Sequence, residues 1–230
     1  MYDALPDAIT VEADGPIRIV RLNRPEQLNA TNPDLHLALT QVFLGLLQQM
    51  IDDREIRRAT LAEGRDLVLN MIQCRVPVVA AVNGPAVGLG CSLVALSDVV
   101  YMAESAFLAD PHVAVGLVAA DGGPIVWPLH TSLLLAKEYA FTGDRITAAR
   151  AAEIGLANHV VPDGEVLEAA LATARKIAAL PQQAVEATKR VLNLHIERAV
   201  LNTIDFALGA ESASFDTEDL QRNVAKFLQA

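Results

Sequence analysis

Pro77-Val78-Val79-Ala80-Ala81-Val82-Asn83-Gly84-Pro85-Ala86-Val87-Gly88-Leu89-Gly90-Cys91-Ser92-Leu93 is the stretch on which the reading of this chain turns. Val76–Val82 is almost wholly apolar and β-branched, the pattern of a strand buried on both faces. Gly84, Gly88 and Gly90 punctuate the turn that follows, and Cys91–Leu96 reads as a short apolar helix. Asp98 then opens a second strand, VVYMA. Strand, glycine turn, helix and strand make a βαβ unit, which calls for a parallel sheet element. Amides at a helix start have no intrahelical partner and carry partial positive charge. Such a turn is preset to hold an anion or a developing oxyanion.

Upstream, the β-prone runs ITVEA and PIRIVRLN flank Asp14-Gly15, which suits a tight hairpin turn. Leu35, Leu39, Val42 and Leu46 recur at helical spacing after Asn32-Pro33, predicting a helix over Asn32–Met50, with a more polar one over Arg54–Cys74. Downstream, Leu108–Pro128 is rich in Gly and Pro and reads as loop. Leu133–Phe141 and Thr147–Ile154 read as helices, the second stopped at Gly155, and Ala157–Val161 as a strand. From Asp163 the pattern is helical: Glu165–Ala179, Pro181–Leu208 and Asp216–Leu228. The composition shifts near Ala140, dividing a mixed α/β core over 1–140 from a mainly helical region over 141–230.

The 230 residues are 52% hydrophobic and 20% charged, enough to bury a large core. Eighteen basic against 28 acidic side chains give a net charge of −10, which excludes non-specific nucleic-acid binding. No apolar run reaches the ~18 residues of a membrane span. MYDALPDAIT has neither the basic nor the apolar region of a leader, so a cytoplasmic location is expected. Cys74 and Cys91 lack metal-site spacing and read as buried free thiols.

Three chemistries could use the glycine turn. Gly84, Gly88 and Gly90 spell G-x-x-x-G-x-G, as in a dinucleotide site, but neither Tyr101 nor Tyr139 has a Lys four residues on. Ser92, His112 and Asp121 could form a nucleophile, base and orienter, but the G-x-S-x-G elbow is missing. The third is acyl-coenzyme A chemistry. PVVAAVNGPAVGLGCSL resembles the signature of the crotonase (enoyl-CoA hydratase/isomerase) family. So do LNRPEQLNA (Leu22–Ala30), SAFLADPHVAVGL (Ser105–Leu117) and FTGDRITAARAAEIGLANHVVP (Phe141–Pro162), in the family's order.

The resemblance implies an α/β fold, a ββα spiral core with a helical C-terminal region, assembled as a homotrimer or hexamer. It implies the backbone N–H of Leu89 as an oxyanion-hole donor, with Leu28, Ala30 and Gly88 lining the coenzyme A pocket. Coenzyme A then enters as part of the substrate, and no metal or other cofactor is implied. Hydratases of the family use two glutamates, and the matching positions here are Ser92 and His112. Asp121 is the carboxylate expected at the acyl end, close enough to His112 for an Asp–His pair to act as acid and base. Both also have ordinary readings, His112 as a strand cap and Asp121 as a turn residue. Ser92 reads more readily as a helix-capping residue than as a chemical one. His36, His130, His159 and His195 read as surface or packing residues. Asn29 and Pro77 are 48 positions apart, ~30 fewer than the family's core uses. Either the segment after about Phe43, with the second oxyanion loop, is deleted, or the molecule carries residues that this sequence omits.

Overall fold

A computed structural model of the chain describes residues 9–22 and 46–228. Strands β1 (Ile9–Asp14) and β2 (Ile17–Leu22) form the expected antiparallel hairpin, with Asp14 paired to Ile17 across the Asp-Gly turn. Of the helix expected over Asn32–Met50, residues up to 45 lie outside the described part, and residues 46–52 are helical. Helix α1 (Arg54–Gln73) follows, its N-terminus capped by the Asp53 carboxylate, which accepts from the N–H groups of Glu55 and Ile56.

The core is a two-sheet spiral. Strand β3 (Val79–Val82) lies in one sheet and β4 (Ala86–Val87) in another. Helix α2 (Leu89–Ala95) leads to β5 (Val99–Ala103) beside β3, and β6 (Phe107–Ala109) returns beside β4. Both pairings are parallel, Val79 opposite Val99 and Ala86 opposite Leu108. Each pass therefore adds one strand to each sheet, which is the ββα repeat. Strands β7 (Ile146–Thr147) and β8 (His159–Val161) complete the two sheets, antiparallel to β6 and parallel to β5 respectively.

The loop expected over Leu108–Pro128 is corrected. That segment holds the end of β6 and two helices, α3 (His112–Val115) and α4 (Gly123–His130). Its Gly and Pro residues mark element ends rather than one long loop. Pro111 precedes α3, Gly116 ends it with φ 95°, Gly122 precedes α4 and Pro124 sits in its first turn. Helices α5 (Leu133–Thr142), α6 (Ala148–Glu153) and α7 (Val166–Ala178) lie close to the expected ranges. Helix α8 (Gln182–Ser214) runs six residues past Leu208, and α9 (Glu218–Leu228) closes the described chain.

Met102, Leu108, Val126, Trp127, Ile146, Val200 and Ile204 are buried in the main core. A second cluster joins Leu47 and Met50 to Leu117, Phe215, Leu220 and Val224, so α9 packs beside the segment that follows α3. The buried stripe of α8 holds Lys189, Asn193, Val200, Ile204, Glu211 and Ser214. Along α8, Val200 and Ile204 serve the chain's own core, whereas Val191 and Leu194 are exposed. Among the described residues no helix is long and apolar enough to cross a membrane.

Gly155 carries a clear backbone demand. Its φ is +87°, and a Cβ there would stand 2.7 Å from the carbonyl oxygen of His130. Gly155→Ala is expected to cost about 2–4 kcal/mol, combining left-handed strain with a backbone clash. Urea denaturation of the variant checks this.

Candidate active site

Three pieces of chain converge beside the glycine turn. At the corner between β6 and α3, Asp110 Oδ1 accepts from the backbone N–H of His112 at 3.2 Å and from the ring Nδ1 of the same residue. That leaves His112 Nε2 directed at Asp121, 3.7 Å from Oδ2. Asp121 Oδ1 in turn accepts from the Ser92 hydroxyl at 2.7 Å, and Ser92 Oγ accepts from the N–H of Gly123 at 3.1 Å. The result is a continuous chain, Ser92–Asp121–His112–Asp110. Only Asp121 within it is appreciably exposed; Ser92, Asp110 and His112 are buried.

Local sequence explains each placement. Asp110 ends a strand and is followed by Pro111, whose turn returns the backbone amide of His112 to the aspartate side chain. Gly88 enters α2 with φ 55°, a conformation that glycine adopts without the usual side-chain cost. The His112 ring sits against this turn, its Cε1 3.9 Å from where a Gly88 Cβ would be. Leu89 occupies the first position of α2, so its N–H has no intrahelical acceptor, and no other described group accepts from it.

The sequence-derived residues thus fall into two groups. Leu89, Gly88, Ser92, His112 and Asp121 lie at or beside one place. Leu28 and Ala30 are outside the described residues. Ser92 lies inside α2 and does not cap that helix; its hydroxyl instead takes the first N–H of α4, a capping contact from outside that helix, while fixing Asp121. His112 likewise opens α3 rather than capping a strand. His130 Nε2 bonds the Ala95 carbonyl and His159 stacks on Tyr101, both packing roles, while His195 is exposed and His36 is not described.

Two residues were missed in the sequence. Asp110 is 1% exposed, and its Oδ2 has no partner among the described residues. Glu211, brought in by α8, is 7% exposed and couples by charge to His112, Asp121 and Asp110. The spacing of Glu211 from Val200 and Ile204 could have revealed it, because it continues their stripe. Nothing local distinguished Asp110 from an ordinary Asp-Pro turn.

Burial pulls the His112 imidazolium towards the neutral form. The Asp110 hydrogen bond and the charges of Asp121, Asp110 and Glu211 outweigh it and push the pKa up to about 9. Asp121 is raised by burial, against the opposing pull of His112 and the Ser92 hydroxyl. Burial also raises the Cys91 thiol, with Asp110 and Asp121 adding to it, so Cys91 stays protonated and inert. Cys74 is half-buried and, like Cys91, free. Asp110, His112 and Asp121 each offer one ligand atom within 4.8 Å of the others. Chemically, the place combines an unused backbone donor, a carboxylate and a fixed positive charge.

Comparison with known proteins agrees with this architecture. The profile of the enoyl-CoA hydratase/isomerase family matches residues 44–230. The chain is 30% identical to a mitochondrial enoyl-CoA hydratase of Pongo abelii over 235 aligned positions, covering 93% of this chain and 81% of that one. Those positions outnumber the residues this chain supplies to them, so the relative carries stretches with no counterpart here, in keeping with the short Asn29–Pro77 interval. The crystal structure of an enoyl-CoA hydratase/isomerase from Mycobacterium paratuberculosis is 56% identical, with a TM-score of 0.87, over 97% of this chain and 99% of that one. A β-diketone hydrolase from the cyanobacterium Anabaena shares the fold, with a TM-score of 0.77 at 23% identity over 91% and 94% of the two chains. The chain belongs to the enoyl-CoA hydratase/isomerase family.

Proposed function

We propose that the protein binds an acyl-coenzyme A thioester and adds water to, or shifts, the double bond of its enoyl group through an enolate. The carrying observation is the meeting of the Leu89 N–H, free of any described acceptor, with the Asp121–His112 pair beside one glycine turn. The Leu89 amide serves as an oxyanion donor for the thioester oxygen, where such a donor contributes about 3 kcal/mol. Asp121 Oδ2 is the base for water or for the proton next to the carbonyl. The His112 imidazolium, anchored by Asp110, opposes the rise that burial imposes on Asp121 and so favours its ionised form. Ser92 orients Asp121 and takes no covalent part. Gly88 sets the turn, and Leu28 and Ala30 are assigned to the coenzyme A pocket by family resemblance. Coenzyme A enters as part of the substrate, and the chemistry uses no further cofactor.

Exposed apolar side chains support a homo-oligomer, a trimer or a pair of trimers. Leu134 and Phe206 are 80% and 82% exposed, and Leu192 and Leu201 lie on the same long helix as Phe206.

A second reading is favoured by the histidine-centred acid/base set. An amide that stabilises a thioester enolate would also stabilise the enolate released when water cleaves a 1,3-dicarbonyl compound. Asp121 would then activate the water. The fold accommodates such chemistry in the Anabaena β-diketone hydrolase.

A panel of enoyl-CoA thioesters of increasing chain length, run beside a panel of cyclic 1,3-diketones, separates the readings. Loss of the conjugated enoyl absorbance supports the first, and diketone cleavage without enoyl-CoA turnover supports the second. Saturable thioester binding without either reaction indicates a family member that keeps the ligand and has lost the chemistry. Because His112 keeps its proton up to about pH 9, kcat/KM is expected to fall above that pH, as the positive charge beside Asp121 is lost. A pH–rate profile checks this limb.

A further inference from the structure

The buried stripe of α8 carries four polar residues. Three are satisfied. Lys189 Nζ donates to Asp98 at 2.6 Å and to the Val76 carbonyl at 2.9 Å, Asn193 donates to the Ile72 carbonyl at 2.8 Å, and Ser214 accepts from the N–H of Val118 at 3.2 Å. Glu211 differs: the residue is 7% exposed, it forms no ion pair with another described residue, and its carboxylate oxygens are not among the buried atoms left without a partner. A carboxylate on a stripe shared with Val200 and Ile204 gives up apolar burial that a hydrophobic side chain would provide there. Its surroundings identify what it serves. The Ser214–Val118 bond, one turn further along α8, ties this end of the helix to the segment three residues before Asp121. Asn223 of α9 holds the Val115 carbonyl at the end of α3 from the same side. The charged groups that act on Glu211 are His112, Asp121 and Asp110, all members of the site.

We propose that Glu211 is the second carboxylate of the acid/base set, the group that delivers a proton to the substrate carbon next to the thioester. This deepens, and rests on, the reading of the site as an enolate-stabilising one. It restores from the C-terminal helix a carboxylate that the positions of Ser92 and His112 do not provide. The step balances for hydration. As the water oxygen bonds to the β-carbon, one water proton passes to Asp121 and the double-bond electrons move onto the thioester oxygen, held by the Leu89 amide. The enolate then collapses, its α-carbon takes the proton of the Glu211 carboxyl, and Asp121 returns its proton through solvent to Glu211. Burial raises Glu211 to about 7, with Asp121 and Asp110 adding to it and His112 opposing, so both protonation states are populated near neutrality. The same environment makes Glu211 a group whose replacement leaves the fold undisturbed, since Gln fills the same space without charge.

The test compares the wild type, E211Q and E211D in the full-length protein. With crotonyl-CoA as probe, E211Q is expected to lower kcat at least 100-fold, with acyl-CoA affinity changed less than threefold. E211D should restore part of the rate. The limb of the pH–rate profile near 7 should disappear in E211Q. Wild-type kcat and an unchanged limb in E211Q would overturn the proposal. A second readout needs no substrate: the His112 ring, titrated by nitrogen NMR, should lose its proton at lower pH in E211Q. If no enoyl-CoA is turned over but this midpoint still drops, the substrate reading fails while Glu211 remains part of the site. An unchanged midpoint removes Glu211 from the site altogether.

Discussion

Replacing Asp121 by asparagine is expected to lower turnover about 10³-fold while leaving acyl-CoA affinity within a few-fold of wild type. The amide keeps the shape of the carboxylate, and its oxygen can still accept the Ser92 hydroxyl that now lies 2.7 Å from Oδ1. What is lost is the base at Oδ2, the atom that faces His112 at 3.7 Å. A purely structural Asp121 predicts the opposite pattern: a change in stability with kcat preserved. Steady-state kinetics beside urea denaturation separates the two. Ser92→Ala, which removes the orienting hydroxyl but no titrating group, should fall between wild type and this variant.

His112→Ala should fail on two counts. Turnover falls, again by about 10³, because Asp121 loses the positive charge that opposes the upward pull of burial, which then favours its protonated form. Stability falls too, since Asp110 is left buried and unpaired, a loss that typically costs about 3–5 kcal/mol. The sign of the pH dependence follows from the raised pKa. A group whose folded pKa is about 9 rather than the ordinary 6.5 contributes stability fully below pH 6.5 and loses it as pH rises through 9. That contribution is about 3 kcal/mol. Wild type and variant should therefore differ most at pH 6, and the difference should shrink by about that amount, without vanishing, above pH 9. Denaturant midpoints across that range check the trend.

The parts of the fold that were legible in the sequence are those specified locally. Asp14-Gly15 between two alternating runs fixed the hairpin, and VPVVAAV with VVYMA fixed the parallel β3–β5 pair. Strand β4, only Ala86–Val87, was hidden inside what reads as a turn, because two residues carry no periodicity and its pairing with β6 is a tertiary event. Helix α4 was hidden by its own punctuation, with Gly122 and Pro124 at its start and Pro128 within it. The site was half legible for the same reason. His112 and Asp121 lie nine positions apart on one segment and could be placed together from the sequence. Asp110 looked like part of a turn, and Glu211 lies 99 positions from His112 on another helix, so only the folded chain brings it near.

The central claim is that this site stabilises the enolate of a coenzyme A thioester. Deuterium exchange at the α-carbon of butyryl-CoA, followed by proton NMR in D₂O, tests it without requiring a complete reaction. The account predicts loss of the α-proton signal far faster than in enzyme-free buffer, with the rate suppressed in Asp121→Asn. Saturable binding of butyryl-CoA with exchange no faster than buffer would contradict it.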